Sequence, residues 1–318
     1  MKRLTDIPSL DDIEAAHEAI KPYIHRTPVL NNKSIDDIVG ARVYFKCENF
    51  QKVGAFKIRG ASCAILALDE AERAKGVATH SSGNHAQALA LSAKTHGISS
   101  YIIMPNNAPL SKKNATLDYG ANVIFCEATN ESRQATLAKV VEETGAIYIP
   151  SFDHYNIIAG QATAAKELIE ELINLDVIMA PIGGGGLMSG TALATHYLLP
   201  DARIIGAEPK AVDDAFRSFT TKRRATNTTT NSIADGLLTN IGDKTFEIIT
   251  KYLDDIITVS ESEIIAAMRL IWERMKIIVE PSSAVPFAAI LQQKERFEGM
   301  EIGVILTGGN VDVNNLPF

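Results

Sequence analysis

Cysteine is scarce in this chain: Cys47, Cys63 and Cys126 are the only three among 318 residues. An odd number without CxxC spacing argues against a disulfide framework or a zinc knuckle, and fits a reducing cytoplasm. Basic charge is also short. Lys and Arg number 31 against 38 Asp and Glu, a formal net charge of −7. With no positive surplus to neutralise phosphates, a nucleic-acid role is disfavoured. No apolar run approaches the roughly 18 residues of a membrane span. Met1 to Asp12 carry charges but no signal-peptide core, so neither a membrane protein nor a secreted one is expected. What is plentiful is ordinary globular material, 46% apolar and 22% charged residues, which excludes disorder for most of the chain. The length predicts about two domains.

From about residue 75, short apolar runs alternate with helix-like stretches. The runs 76–80, 100–104, 122–126, 146–149, 177–180 and 203–207 read as strands filled with β-branched residues. Residues 84–95, 110–119, 132–144, 157–173 and 187–199 read as helices. This rhythm implies parallel sheets covered by helices on both faces. Ser9 caps a predicted N-terminal helix, and 263–275 forms a late one. The polar stretch 219–231 (FTTKRRATNTTTN) suits neither helix nor core and reads as a surface loop.

Four segments carry the chemistry. Pro181-Ile-Gly-Gly-Gly-Gly-Leu187 follows a strand and opens a helix. Its glycines let backbone N–H groups approach an anion, which predicts a phosphate site; a strained turn without ligand is the alternative. His80-Ser-Ser-Gly-Asn-His85 puts hydroxyls and an amide at a helix start, suited to a carboxylate or to ordinary N-capping. In Gly54-Ala-Phe-Lys-Ile-Arg-Gly60, Lys57 has apolar neighbours, so it is either a desolvated nucleophile or a surface lysine with a buried stem. Leu306-Thr-Gly-Gly-Asn310 is a further strand end turning on glycines. Glu208 lies about 20 residues past the glycine run, where a dinucleotide-binding enzyme would place its ribose-binding acid. The run is not GxGxxG, yet a nicotinamide-dependent oxidoreductase stays a rival on this motif, as does a non-catalytic binding module.

Taken together and in this order, the four segments resemble the pyridoxal-phosphate enzymes of the tryptophan-synthase-β fold (fold type II), and within them the serine racemase and serine/threonine dehydratase family. The resemblance runs from His25-Arg-Thr-Pro28 to Gly308-Gly-Asn310. The family segment around the cofactor lysine is of Ser-x-Lys-x-Arg-Gly type; here Ala55 and Phe56 precede Lys57. The fold implied is α/β, with two parallel-sheet domains flanked by helices: a large one of residues 1–51 plus 149–318 and a small one of 52–148.

The resemblance also implies roles. Lys57 would hold pyridoxal 5'-phosphate covalently and act as a base at the substrate Cα. Phe56 would pack by the cofactor ring, and Asn84 would bond its phenolic oxygen. Gly183, Gly184, Gly185, Gly186 and Leu187 would bind the phosphate, and Thr307 would face the pyridine nitrogen. Ser81, Asn84 and His85 would grip the carboxylate of a small amino-acid substrate, with Arg133 near it. Ser82, opposite Lys57, would be the second acid/base that permits racemisation. Glu208, Asp214 and the Val212 carbonyl would form a site for Mg²⁺, Ca²⁺ or Mn²⁺. Trp272-Glu-Arg-Met-Lys276 and Glu280-Pro281 are similar to serine racemase segments. ATP as an effector at a homodimer interface is carried over because Gln87, Tyr119, Lys276 and Asn310 fall near matching positions. No C-terminal regulatory domain is expected. The activity implied is racemisation of L-serine and β-elimination of β-hydroxy amino acids to an oxo acid and ammonia. Threonine or 3-hydroxyaspartate dehydration without racemisation is the alternative.

Overall fold

The computed structural model describes residues 1–108 and 110–318. Among the described residues ten strands make two sheets: β1 (Val29–Asn31), β2 (Arg42–Cys47), β3 (Val77–His80), β4 (Ser100–Pro105), β5 (Asn122–Cys126), β6 (Ile147–Tyr148), β7 (Val177–Pro181), β8 (Arg203–Pro209), β9 (Asp255–Val259) and β10 (Glu301–Leu306). The larger sheet has the order β1-β2-β10-β7-β8-β9, the smaller β5-β4-β3-β6. Every pairing is parallel except β1 with β2, which is antiparallel and lies at an edge. The expected pair of parallel sheets flanked by helices is present, with β1 added antiparallel at one edge. The short run Val29–Asn31 reaches β2 through the single helix Lys33–Val39.

Period-2 alternation sorts the larger sheet's side chains onto two faces. Val177, Met179, Val304 and Leu306 pack with Ile264, Ile271, Val285 and Phe287 of the helices Glu261–Met275 and Pro281–Gln292. Ala180, Ile204, Ile256 and Ile305 pack the other way, with Ile158 and Ala162 of the helix Tyr155–Glu171 and with Met188 and Ala192 of the helix Gly186–Leu198. Each fully buried aliphatic side chain contributes roughly 1.5–3 kcal/mol against the entropy of ordering the chain. The helix Lys57–Leu66 crosses Tyr155–Glu171 at very short range. A Cβ on Gly160 would lie 2.7 Å from the Arg59 carbonyl oxygen and from the Gly60 Cα. Only glycine permits that approach.

The predicted N-cap is present: the Ser9 side chain accepts from the Asp12 N–H at the start of the helix Leu10–Ile20. The late helix begins at Glu261, two residues before the predicted start, because Ser260 and Glu263 form a reciprocal capping box. The stretch 219–231 is a largely exposed loop, after the helix Asp214–Thr221 has taken its first three residues. Among the described residues no helix is long and apolar enough to cross a membrane.

Candidate active site

Parallel strands bring their C-terminal ends to one edge of a sheet, where connecting loops converge. In the larger sheet Leu306 pairs with Cys47 and Ala180 with Gly206. The glycine run after β7, Thr307 after β10 and the chain leading to Lys57 after β2 therefore meet at that edge. The smaller sheet supplies 80–85 from the end of β3.

Lys57 opens its helix. Its Nζ donates to the Ser151 carbonyl at 2.9 Å and stands 5.1 Å from the centre of the Phe56 ring. Burial draws its pKa from 10.5 down to about 8, against the opposing pull of the Glu280 carboxylate. An amine so placed loses its proton far more readily than a solvated lysine, and the neutral amine is the nucleophile in imine formation. The turn before it is strained. Val53 has φ 58° and Gly54 φ 66°, and a β-branched residue there costs about 1–3 kcal/mol. Asn310 holds this turn, with its Nδ2 donating to the Val53 carbonyl at 2.8 Å and to Asn84 Oδ1 at 2.9 Å. Asn84 in turn donates to Glu280 Oε1 at 2.9 Å. Glu280, Asn84 and Asn310 thus form one hydrogen-bonded chain, and the Glu280 charge is close enough to act on Lys57.

The glycine run lies beside Lys57. Gly185 has φ 89° and precedes the helix Gly186–Leu198, which starts with no side-chain cap. A Cβ on Gly184 would sit 2.3 Å from the ring of Phe152. Phe152 directly follows Ser151, whose carbonyl holds Lys57, so one two-residue segment positions both parts. Close packing accounts for Gly184. The uncapped first turn leaves main-chain donors with no intrahelical partner, and these, with the helix dipole, suit a phosphate.

The segment 80–85 leads into the helix Asn84–Thr95, which also starts without a side-chain cap. Ser81 is therefore not an ordinary N-cap. Its N–H donates to the Ile103 carbonyl at 3.1 Å, and its Oγ accepts from the Gly83 N–H at 3.3 Å. Ser81, Ser82 and Asn84 are half-buried, and a Cβ on Gly83 would meet nothing within 4 Å, so open space adjoins the segment. The His85 ring turns away from that space. Its Nε2 donates to the buried Ile149 carbonyl at 3.3 Å. Burial, then the nearby Lys57 charge, holds its pKa down at about 3. A neutral ring so engaged cannot offer a charge to a carboxylate, whereas the main-chain N–H of His85 lies in the open first turn. Arg133 sits half-buried on the helix Asn130–Thr144, where its charge helps lower the pKa of His80 after burial has done most of the work. Among the described residues no hydrogen bond joins Arg133 to the site.

Thr307 is buried, and its Oγ1 lies 2.9 Å from Ser283 Oγ. Ser283 Oγ also donates to the Gly308 carbonyl at 2.7 Å and accepts from the Gly308 N–H at 2.8 Å. Ser283 and Glu280 were not singled out for roles in the sequence. Glu280 was marked only by the resemblance of the Glu280-Pro281 segment, and Ser283 by nothing; the fold sets both at the start of the helix Pro281–Gln292, which packs on β10.

Glu208 lies one residue before the end of β8 and is fully buried. Its oxygens accept the N–H groups of Ala215 and Phe216 at 3.1 and 2.9 Å. Asp214 accepts from the Ile241 N–H at 2.8 Å and from Asn227 Nδ2 at 2.6 Å. The turn Lys210–Val212 lies between them. Burial, with mutual repulsion, pushes the Glu208 pKa well up, and burial also raises that of Asp214. Among the described residues no Lys or Arg pairs with Glu208, and no cluster of three His, Cys, Asp or Glu side chains forms a metal site. Two buried, mutually repelling carboxylates fit a divalent cation that completes its shell with carbonyl and water. Held inward by two amide groups, Glu208 is not presented to a ribose, and the dinucleotide reading loses its acid.

Comparison with known proteins agrees with this geometry. The chain is 47% identical to the beta-hydroxyaspartate dehydratase of Paracoccus denitrificans over 98% of its own length and 99% of the other's. It is 48% identical to the serine racemase of Dictyostelium discoideum over 97% and 96% of the two chains. The crystal structure of that racemase superimposes with a TM-score of 0.92, covering 96% of this chain and 99% of the other. Residues 20–308 match the family described as pyridoxal-phosphate dependent enzyme. A lysine of depressed pKa beside an uncapped, glycine-built helix start is what such a cofactor requires, and the chain belongs to this family, of the fold type that serine racemases and threonine deaminases share.

Proposed function

We propose that the enzyme acts on L-serine and related β-hydroxy amino acids, both racemising them and eliminating the β-hydroxyl to give a 2-oxo acid and ammonia. The observation that carries this is the desolvated Lys57 amine, with the hydrogen-bonded pair Glu280 and Asn84 near it and the half-buried serines 81–82 leading into the helix that Asn84 opens. Pyridoxal phosphate, when bound, supplies the electron sink that makes a Cα proton removable. The chain's own residues do the rest. Lys57 anchors the cofactor and takes the Cα proton. Ser82 returns a proton to the opposite face. The N–H groups of Gly183 to Leu187 hold the phosphate, Phe56 packs by the ring and Thr307 offers a neutral hydroxyl to the pyridine nitrogen. Ser81, Asn84 and the His85 N–H hold the substrate carboxylate. The names of the relatives, racemase and hydroxyaspartate ammonia-lyase alike, support this class of substrate.

A second reading, 3-hydroxyaspartate dehydration without racemisation, is favoured by Arg133. Its Nε is buried without a hydrogen-bond partner, and its charge reaches His80, next to Ser81. A guanidinium there fits a second carboxylate. One experiment decides. Holoenzyme is incubated with L-serine, L-threonine and L-threo-3-hydroxyaspartate, and oxo acid and D-enantiomer are both quantified. D-serine that disappears in Ser82→Ala supports the first reading. Oxo acid from hydroxyaspartate alone, lost in Arg133→Met, supports the second. Ser82→Ala with full racemisation overturns the role given to Ser82.

The finer assignments are part of the same proposal. Glu208, Asp214 and the Val212 carbonyl would hold Mg²⁺ or Ca²⁺. An effector such as ATP would take the cavity of about 310 Å³ that Gln87 and Asn310 line; Tyr119 and Lys276 are not among its lining residues, and Asp235 and Asp312 are. The domain division 1–51 with 149–318 against 52–148 is supported by the smaller sheet drawing only on residues 77–148. Exposed Ile278, whose carbonyl accepts from Asn49 beside exposed Phe50, supports a homodimer contact. Three free cysteines suit the cytoplasm.

A further inference from the structure

The loop after the helix Asp214–Thr221 is not a loose surface connection. Asn227, midway along it, donates from Nδ2 to Asp214 Oδ1 at 2.6 Å. The amide is held in that orientation from behind, because Arg217 Nη2 donates to Asn227 Oδ1 at 3.1 Å and to the Thr226 carbonyl at 3.1 Å. Arg217 is itself fixed by Asp213, four residues back at the N-cap position of the same helix, with Nε donating to Oδ1 at 2.7 Å. A second tie runs through Ser218, which donates to the Asp214 carbonyl at 2.6 Å and accepts from the Ala225 N–H at 2.8 Å. On the far side the Asn227 N–H donates to Asn240 Oδ1 at 2.8 Å, next to Ile241, whose N–H holds the other oxygen of Asp214. The segment between the ties, Lys222-Arg-Arg224, is exposed.

We infer that residues 222–231 form a strap locked by divalent-cation binding at Glu208 and Asp214, with Asn227 as the positioning residue and Arg217 as its brace; this rests on the cation reading given above. The physical ground is geometric. An amide with its oxygen held by a guanidinium presents its N–H groups, not its oxygen, to Asp214. Asp214 is thereby held at both oxygens, Oδ1 by Asn227 and Oδ2 by the Ile241 N–H, and its charge lies close enough to Glu208 to help raise that group's pKa. A cation between the two carboxylates removes their repulsion and fixes Asp214, which fixes Asn227 and with it the strap. By linkage, a fixed strap strengthens cation binding by the same factor. Outer partners of metal-ligating carboxylates typically alter affinity by about 10–100-fold.

The test uses holoenzyme, stripped of divalent cations with a chelator and titrated with Mg²⁺ or Ca²⁺. Cation affinity is read by calorimetry and by thermal shift. Strap order is read by the rate of trypsin cleavage after Arg223 and Arg224. In the wild type, cation raises the melting temperature and slows cleavage. In Asn227→Ala, affinity falls at least about tenfold, and cleavage is fast whether or not cation is present. Arg217→Gln removes a guanidinium that makes no hydrogen bond to either carboxylate, although its charge acts on Asp214; this variant is read by cleavage, which becomes faster with cation present but less so than in Asn227→Ala. Glu208→Gln abolishes the response. If the wild type shows no cation response, or one that survives Glu208→Gln, the cation reading itself fails. If cation binds at Glu208 but Asn227→Ala keeps full affinity, or cleavage ignores the cation, the strap is overturned and the cation reading stands.

Discussion

Arg59 and Glu48 meet as a fully buried bidentate pair, Nε to Oε2 at 2.7 Å and Nη2 to Oε1 at 2.8 Å. The same guanidinium reaches Glu167 through Nη1 and Nη2, both at 2.8 Å, and Lys46 completes the group at 2.7 Å from Glu167 Oε2. Two cations thus face two carboxylates with water excluded. Arg59 follows Lys57 by two residues, so this cluster ties the helix that carries the reactive amine to the larger sheet and to the helix Tyr155–Glu171. Such a cluster is weak evidence of net stabilisation, yet breaking it is costly, because the orphaned charge stays buried.

The first prediction follows from that asymmetry. Glu48→Gln keeps the shape and removes one charge, leaving Arg59 and Lys46 against Glu167 alone. Unfolding by urea should show a loss of about 3–5 kcal/mol. A loss below about 1 kcal/mol would mean that the site relaxes or admits water, and the anchoring role of Arg59 would fall with it.

Gly184→Ala tests the phosphate cradle. The new methyl group would fall on Phe152, which packs against the loop while its neighbour Ser151 holds Lys57. Moving Phe152 disturbs cradle and amine together. Titration of the apo chain with pyridoxal phosphate should show affinity at least about tenfold weaker, or about 1.4 kcal/mol, with the far-ultraviolet circular dichroism unchanged. Wild-type affinity in the variant would show that the loop has slack and that its glycines do not shape a phosphate site.

How much of this was legible in the sequence depended on whether the signal was local. The strands at 76–80, 100–104 and 203–207 were readable because a strand buried on both faces is a largely apolar run, whereas 122–126 was readable from its β-branched and aromatic residues although only Cys126 in it is buried. β2 escaped notice because Arg42, Tyr44 and Lys46 interrupt its pattern, and only the fold shows that Lys46 is buried against Glu167. Composition marked 219–231 as a loop, but not as one fastened to Asp214, since the partners Arg217 and Asn227 are ten residues apart and join by side chains alone. Lys57 could be read two ways from its neighbours; the Ser151 carbonyl that selects the buried amine lies 94 residues away. His85 looked like a carboxylate ligand from its place in the motif. Its ring proves to be engaged inward by Ile149, a contact no spacing could announce.

That inward ring makes a pH prediction. His85 has its pKa held at about 3, far below the ordinary 6.5, chiefly by burial. The unfolded chain therefore takes up a proton below pH 6.5 that the folded chain refuses until about pH 3. Stability is full above 6.5 and falls as the pH drops through this window. At pH 5 the loss from this group is about 2 kcal/mol relative to pH 7. Urea unfolding of wild type and His85→Gln at both pH values checks it: the gap between the two proteins should narrow at pH 5. A gap independent of pH would place a charged or solvated imidazole at this position.

Lys57 has the same sign of shift with a different consequence. Its pKa is drawn from 10.5 to about 8 by burial, while Glu280 pulls it back up. Only the neutral amine attacks an aldehyde. Covalent capture of pyridoxal phosphate by the apo chain should therefore rise about tenfold per pH unit below 8 and level off above it, not climb on toward 10.5. Borohydride trapping at timed points, with the adduct weighed by mass spectrometry, gives the rate. Lys57→Arg should trap nothing at this position. Glu280→Gln removes the one carboxylate that favours the ammonium form, so its midpoint should move to lower pH. A midpoint that moves upward in that variant would show that Glu280 acts on Lys57 by positioning it through Asn84 and not by charge.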